Sequence, residues 1–256
     1  MSARLSVADV FLQFGGITVL ESVSFDVEPS TIFGLVGPNG AGKTSLFNCI
    51  SGHYKPSAGS VSIDGEDVLP RAPSKLAHIG LARTFQHPAL QLHSTVLDNV
   101  LLGGHCRLTG GALSWALRPP HIVRQERRIR QQAHETLERL DLDWAAGTMA
   151  GELPHALHKR VELCRALLSR PKLLLLDEPA AGLSHSEVED LIAWLRNLRS
   201  EFGLTMIVVE HHMGLISAIT DRVAVLNQGR KLMEGTAAEA QRDPRVVEAY
   251  LGGEAA

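Results

Sequence analysis

Cysteine is scarce in this chain. Its three cysteines, Cys49, Cys106 and Cys164, are odd in number, far apart and without a Cys-x-x-Cys pair. That argues against a disulfide framework and a zinc site, and it fits a reducing, cytosolic compartment. Long hydrophobic runs are missing too: no segment approaches the roughly eighteen uninterrupted apolar residues of a membrane span. The opening residues, Met1 to Leu5, show no basic region followed by an apolar one, so no export leader is expected. A protein of this kind working at a membrane must be held there by something else. Charge of neither sign is in excess. With a net charge of -3, nothing in the bulk electrostatics asks for nucleic acid or an acidic lipid surface, and no nucleic-acid partner is expected. What remains is an ordinary globular composition, 45% apolar over 256 residues, enough for one α/β domain carrying an inserted subdomain.

The most informative stretch is Gly37-Pro38-Asn39-Gly40-Ala41-Gly42-Lys43-Thr44-Ser45, between the apolar runs at 31–36 and 46–50. It spells a strand, a glycine-rich turn and a helix. Glycines let the backbone lie close to an anion with successive N–H groups turned inward, and the helix that follows points its positive end at the same place. Lys43 adds a mobile charge for β- and γ-phosphates, and Thr44 a hydroxyl for Mg²⁺. A plain turn would explain the glycines but not the Lys-Thr pair.

Ahead of this loop, residues 5–11 and 19–27 alternate apolar and polar around Gly15-Gly16, as an antiparallel edge does. Phe14 beside that turn is either a minor core residue or a flat surface on which a purine stacks. Residues 59–65 read as another strand ending in an Asp-Gly turn. Gly80 to Gln86 is an apolar-to-polar passage into a loop at Pro88. Thr95 and Asp98 have the spacing of an N-cap and its first-turn carboxylate. A long helix is expected over 122–142, with Ile122, Ile129, Ala133, Leu137 and Leu140 on one side. Arg124, Arg127, Arg128 and Arg130 lie on the other, a solvated face or a docking surface.

Leu173 to Leu176, four leucines without alternation, describe a strand buried on both faces. Asp177 and Glu178 directly follow, at the carboxyl end where open α/β sheets bind ligands. Asp177 is placed to hold Mg²⁺ through its water shell and Glu178 to orient or deprotonate a water; a cap on the next helix is the other reading of the pair. Ser184 and Glu187 form a capping-box pair ahead of an amphipathic helix stopped by Gly203. A further buried strand at 205–209 delivers Glu210-His211-His212 at its carboxyl end, where a histidine is either structural or a contact for a γ-phosphate. The chain closes with a strand over 222–226, a turn at 227–229, a short strand and a helix capped by Thr236 with Glu239. The fold expected is α/β: a phosphate-loop NTPase core with a mostly parallel sheet, an N-terminal antiparallel β subdomain and an inserted helical subdomain. The boundaries expected are 1–92 with 160–256 for the core, and 93–159 for the insert.

Taken in order, these stretches resemble the ATP-binding subunit of ABC transporters, over almost the whole chain. Gly37 to Cys49, the long insert with Ser114 to Pro120, Pro179 to Leu183, Val209 to Met213 and the tail Asp243 to Gly252 are similar to the branched-chain amino-acid importer type. By that resemblance ATP and Mg²⁺ are bound; Phe14 stacks on adenine; Gln86 touches Mg²⁺ and couples to a membrane subunit; His211 is the γ-phosphate switch. The resemblance also implies integral-membrane permease partners, a second ATPase subunit, different or identical, and a peripheral location at the cytoplasmic face of the inner membrane. Alternatives within it are a soluble or lipid-exporting ATPase, or a regulatory ATP-binding subunit. One departure matters. The family signature Leu-Ser-Gly-Gly-Gln falls on Leu153-Pro-His-Ala-Leu157, where only the leucine survives, and Ser184 stands where the family has an aspartate.

Overall fold

The computed structural model describes residues 2–69, 71–86, 88–110 and 117–251. The chain divides into two units: one runs to Gln86 and resumes at Lys172, and the other lies between them. The expected features at Gly111, Ser114–Ala116 and Gly252 lie outside the described residues.

The first unit begins with β1 (Leu5–Phe14) and β2 (Ile17–Val27), antiparallel across the Gly15-Gly16 turn. β1 runs further than the alternation over 5–11 suggested, because pairing continues to the turn itself, Phe14 opposite Ile17. β3 (Ile32–Val36) then leads into helix α1 (Lys43–Ile50). β4 (Ala58–Ile63) turns through Asp64 and Gly65 into β5 (Glu66–Asp67), and a short helix α2 (Pro73–Leu76) precedes β6 (Leu81–Arg83).

The second unit is helical. Its α3 (Val96–Gly103) starts where Thr95 accepts a hydrogen bond from the Asp98 amide at 3.0 Å, the N-cap its sequence called for. Helix α4 (Pro120–Arg139) buries Ile122, Ile129, Ala133 and Leu137 on one side. Arg124, Arg127, Arg128 and Arg130 are exposed. The helix stops at Arg139, short of 142. Asp141 takes a left-handed φ of 53°, the amide of Leu142 bonds back to the carbonyl of Leu137 at 2.8 Å, and that of Asp141 to Glu138 at 3.1 Å. These are the two bonds of a Schellman end, with aspartate tolerated in the position glycine usually takes. Helix α5 (His155–Leu168) follows, with Pro154 at its N-cap and Leu153 buried.

Back in the first unit, β7 (Leu173–Asp177) is buried at every position, as its leucine run requires. Helix α6 (His185–Phe202) carries a complete capping box between Ser184 and Glu187 and ends at Gly203, φ 59°. Then come β8 (Thr205–Val209), helix α7 (Met213–Ile219), β9 (Arg222–Asn227), β10 (Arg230–Gly235), helix α8 (Ala237–Arg242), capped by Thr236 and Glu239, and helix α9 (Pro244–Leu251).

Two sheets result, in the orders β2-β1-β4-β5 and β10-β9-β3-β8-β7-β6. The first is antiparallel. In the second, β9, β3, β8, β7 and β6 are parallel and only β10 runs against them. One apolar core joins the sheets, with Phe25 of β2 stacked on Phe33 of β3 at 5.1 Å. Parallel pairing has one functional consequence: the carboxyl ends of β3, β8, β7 and β6, neighbours in the sheet, all emerge on the same edge.

Candidate nucleotide site

At that edge, β3 leaves into the glycine loop. Gly37, Gly40 and Gly42 have φ of 149°, 78° and 98°, a region closed to most side chains. At Gly37 space forbids a side chain as well, since a Cβ would be driven into the carbonyl oxygen of Leu226. A Cβ on Gly42 would meet Leu20 Cδ2 at 2.8 Å and the carbonyl of Val19 at 3.1 Å. Gly40 is open around its missing Cβ, so there conformation alone requires glycine. The loop is fastened from behind: Gly229 donates to the carbonyl of Ala41 at 3.1 Å, and Glu21 to that of Gly229 at 2.8 Å. Pro38 accepts from the amide of Ala41 at 3.2 Å, while Asn39 and Gly40 at the tip are exposed. Gly42 is the N-cap of α1, with no side chain over the helix end, so the first-turn amides of Lys43, Thr44 and Ser45 have no partners within the helix.

Lys43 is buried, and its Nζ curls back to donate to the carbonyls of Gly37 at 2.7 Å and Pro38 at 2.9 Å. Burial pushes its pKa down, while the charges of Glu178, Asp177 and Glu210 pull it back up. Thr44 is exposed at the start of the helix.

Asp177 ends β7, 5% exposed, and its Oδ2 accepts from Arg83 Nη2 at 2.9 Å. Glu178 is the next residue and has a left-handed φ of 47°, its amide bonded to the carbonyl of Val209 at 2.9 Å. That turn takes Glu178 out of strand geometry, and strain of this kind in a non-glycine residue gathers at functional sites. Its Oε2 accepts from Gln86 Nε2 at 2.8 Å. The helix-cap reading of Asp177 and Glu178 does not hold, because Ser184 caps α6.

The two histidines after β8 separate cleanly. His212 caps α7, its Nδ1 accepting from the amide of Leu215 at 3.1 Å. His211 keeps its ring 61% exposed, with Nδ1 3.6 Å from Glu210 Oε2. Glu210 is wholly buried and braces two strand ends, accepting from the amides of Ala180 at 3.2 Å and His211 at 2.9 Å. Phe14 stands at the end of β1, 48% exposed, so it is no core residue; its ring packs edge-on against Tyr54 at 5.2 Å.

The donor set suits magnesium. Among the described residues no group of three or more His, Cys, Asp or Glu could hold a metal ion. The Thr44 hydroxyl and the buried carboxylate of Asp177 would offer hard oxygen ligands and leave the remaining positions to phosphate and water, as that ion prefers. Arg83 and Glu210 were the residues that sequence reading passed over. A strand-terminal arginine three residues before a loop glutamine gives no local sign that its partner lies 94 positions away.

A phosphate loop on an interior strand of a mostly parallel sheet, with carboxylates at the ends of the next two strands, β8 and β7, on the same edge, defines a P-loop NTPase. Comparison with known proteins narrows the class. The model of the family described as ABC transporter matches residues 20–181, and that described as branched-chain amino acid ATP-binding cassette transporter matches 230–256. The chain belongs to the ABC transporter family, as one of its ATP-binding, ATP-hydrolysing cassettes. It is 38% identical to the high-affinity branched-chain amino acid transport ATP-binding protein BraF of Pseudomonas aeruginosa, over 97% of each chain. To LivG of Escherichia coli, of the same description, it is 37% identical, again over 97% of each. Among solved structures, the ADP conformation of the cassette MJ1267 superposes with a TM-score of 0.85 at 31% identity, covering 98% of this chain and all of that one, 100%. The dimeric cassette MJ0796, bound to ADP and phosphate, superposes with a TM-score of 0.76 at 25% identity, over 91% and 98%.

Proposed function

We propose that this chain is the ATPase subunit of a membrane importer for branched-chain amino acids, working at the cytoplasmic face of the membrane beside permease subunits and a second ATPase subunit. The observation that carries the chemistry is the placing of Lys43 and its loop, after β3, and of Asp177 and Glu178, at the end of β7, on one edge of the sheet, with β8 between the two strands. The cargo reading is supported by the tail at 230–256 and by the names of the relatives.

Adenine stacks on Phe14, and the triphosphate lies on the amides from Gly37 to Ser45. Lys43 exchanges its loop carbonyls for β- and γ-oxygens. Thr44, Asp177 and Gln86 would hold magnesium, which when bound would neutralise phosphate charge. Glu178 orients a water and takes its proton as the water oxygen attacks the γ-phosphorus; the bond to the bridging oxygen breaks, and ADP and phosphate result. His211, unlike His212, has its ring free to reach the γ-phosphate. Gln86 engages one oxygen of Glu178, Oε2, in the present arrangement.

In vesicles carrying the permease subunits and the second ATPase, ATP-driven uptake of leucine, isoleucine or valine is expected. It should cease when Glu178→Gln replaces this chain. Uptake confined to another class of solute would overturn the cargo.

The divergent signature bears on the partner. In the family this segment crosses a head-to-tail dimer to place a serine hydroxyl and glycine amides on the opposite γ-phosphate. Pro154 has neither hydroxyl nor N–H, and Ala156 adds a Cβ. Ser184, where the family has aspartate, is committed to its capping box. We infer a heterodimer with unequal sites: the partner's signature completes the site on Lys43, while the site completed by Leu153 to Leu157 is weak. Restoring donors with Pro154→Ser and Ala156→Gly should raise turnover by up to about 10²-fold, the worth of a transition-state donor. The gain should vanish when the partner's phosphate loop is disabled; an equal gain in its absence would contradict the inference.

A further inference from the structure

Arg83 is the most heavily engaged side chain near the site that the mechanism above leaves without a task. Its side chain is 8% exposed and that of Asp177 6%. One nitrogen, Nη2, donates to Asp177 Oδ2 at 2.9 Å. The other, Nη1, donates to Asn48 Oδ1 in α1 and to Ser51 Oγ at the C-cap of that helix, both at 2.7 Å. The guanidinium lies 5.1 Å from the ring centre of Phe85 and 5.7 Å from that of Phe47. Nε is buried without a hydrogen-bond partner. A cation held by three acceptors and two rings has little freedom, and so fixes whatever it touches.

What it touches decides its role. A buried carboxylate with no partner is costly, so Asp177 needs a cation before any metal arrives. Arg83 supplies one, and it engages only Oδ2. The plane of the carboxylate is thereby set and Oδ1 is left for a metal-bound water. Three residues on, Gln86 holds Glu178, so one short segment fixes both carboxylates at the end of β7.

We propose that Arg83 is a positioning residue for magnesium: it acts through Asp177, setting that carboxylate so that the metal enters with the nucleotide. The proposal rests on the ATP reading given above. Partners of metal ligands carry a large share of metal affinity, and the fork of arginine cannot be reproduced by lysine, which offers a single point charge.

The test is ATP affinity, measured by calorimetry on the full chain in saturating magnesium and in EDTA, for wild type, Arg83→Met and Arg83→Lys. In both variants the magnesium-to-EDTA affinity ratio should fall about tenfold or more, with binding in EDTA nearly unchanged. In an Asp177→Asn background, Arg83→Lys should cause no further fall. If Arg83→Met does not fold, Arg83→Lys decides. An unchanged ratio, or an equal loss with and without magnesium, overturns the proposal and leaves Arg83 a support of the fold alone. A wild-type ratio near one would instead bring down the magnesium–ATP reading itself, and this proposal with it; a normal wild-type ratio with an unaltered variant ratio removes Arg83 only.

Discussion

Glu178→Gln is expected to bind ATP and to hydrolyse it some 10²- to 10⁴-fold more slowly than wild type, the usual worth of a positioned general base. The substitution keeps the shape of the side chain and its left-handed backbone, φ 47°, whose strain the surrounding strands already support. The contact from Gln86, now 2.8 Å to the carboxylate, can persist to an amide oxygen. What is lost is the charge that draws a proton from the attacking water. Single-turnover hydrolysis, beside nucleotide binding on the same preparation, separates the two effects. Near-normal turnover would remove Glu178 from its role.

Lys43→Met should weaken ATP binding by about 10²-fold or more and take hydrolysis below that of any other single variant considered, since the lost charge serves both the bound phosphates and the transition state. Methionine preserves most of the apolar stem that packs under the loop. Two contacts vanish, those to the carbonyls of Gly37 and Pro38 at 2.7 and 2.9 Å. Burial already disfavours the ammonium here, so removing it relieves a cost as well as breaking those contacts. The melting temperature should therefore change little while affinity collapses. Calorimetry with ATP beside a thermal melt checks both; wild-type affinity in the variant would show that the amides alone hold the phosphates.

Much of this was legible in the sequence because its causes are local. The leucine run ahead of Asp177 announced a doubly buried strand, and β7 is one. Ser184 with Glu187, and Thr236 with Glu239, announced helix starts, and both boxes are closed. The loop from Gly37 to Ser45 carried its conformation in its glycines, although only contact with β9 explains why Gly37 admits no side chain at all. Where causes are distant, sequence was silent. The Arg83–Asp177 pair joins two strands brought together by parallel pairing, and no spacing encodes it. The choice between His211 and His212 depends on which one the next helix recruits as its cap. The end of α4 at Arg139 was missed because aspartate at 141 does not advertise a left-handed turn as glycine would.

Everything turns on a triphosphate seated on one loop with one carboxylate facing its terminal group. The most direct measurement is a crystal structure of Glu178→Gln with ATP and magnesium. The expected result is a triphosphate on the amides of Gly37 to Ser45, the Lys43 nitrogen on its outer oxygens and the side chain at 178 directed at the γ-phosphorus. A nucleotide bound elsewhere, or a residue 178 turned away from that phosphorus, would contradict it.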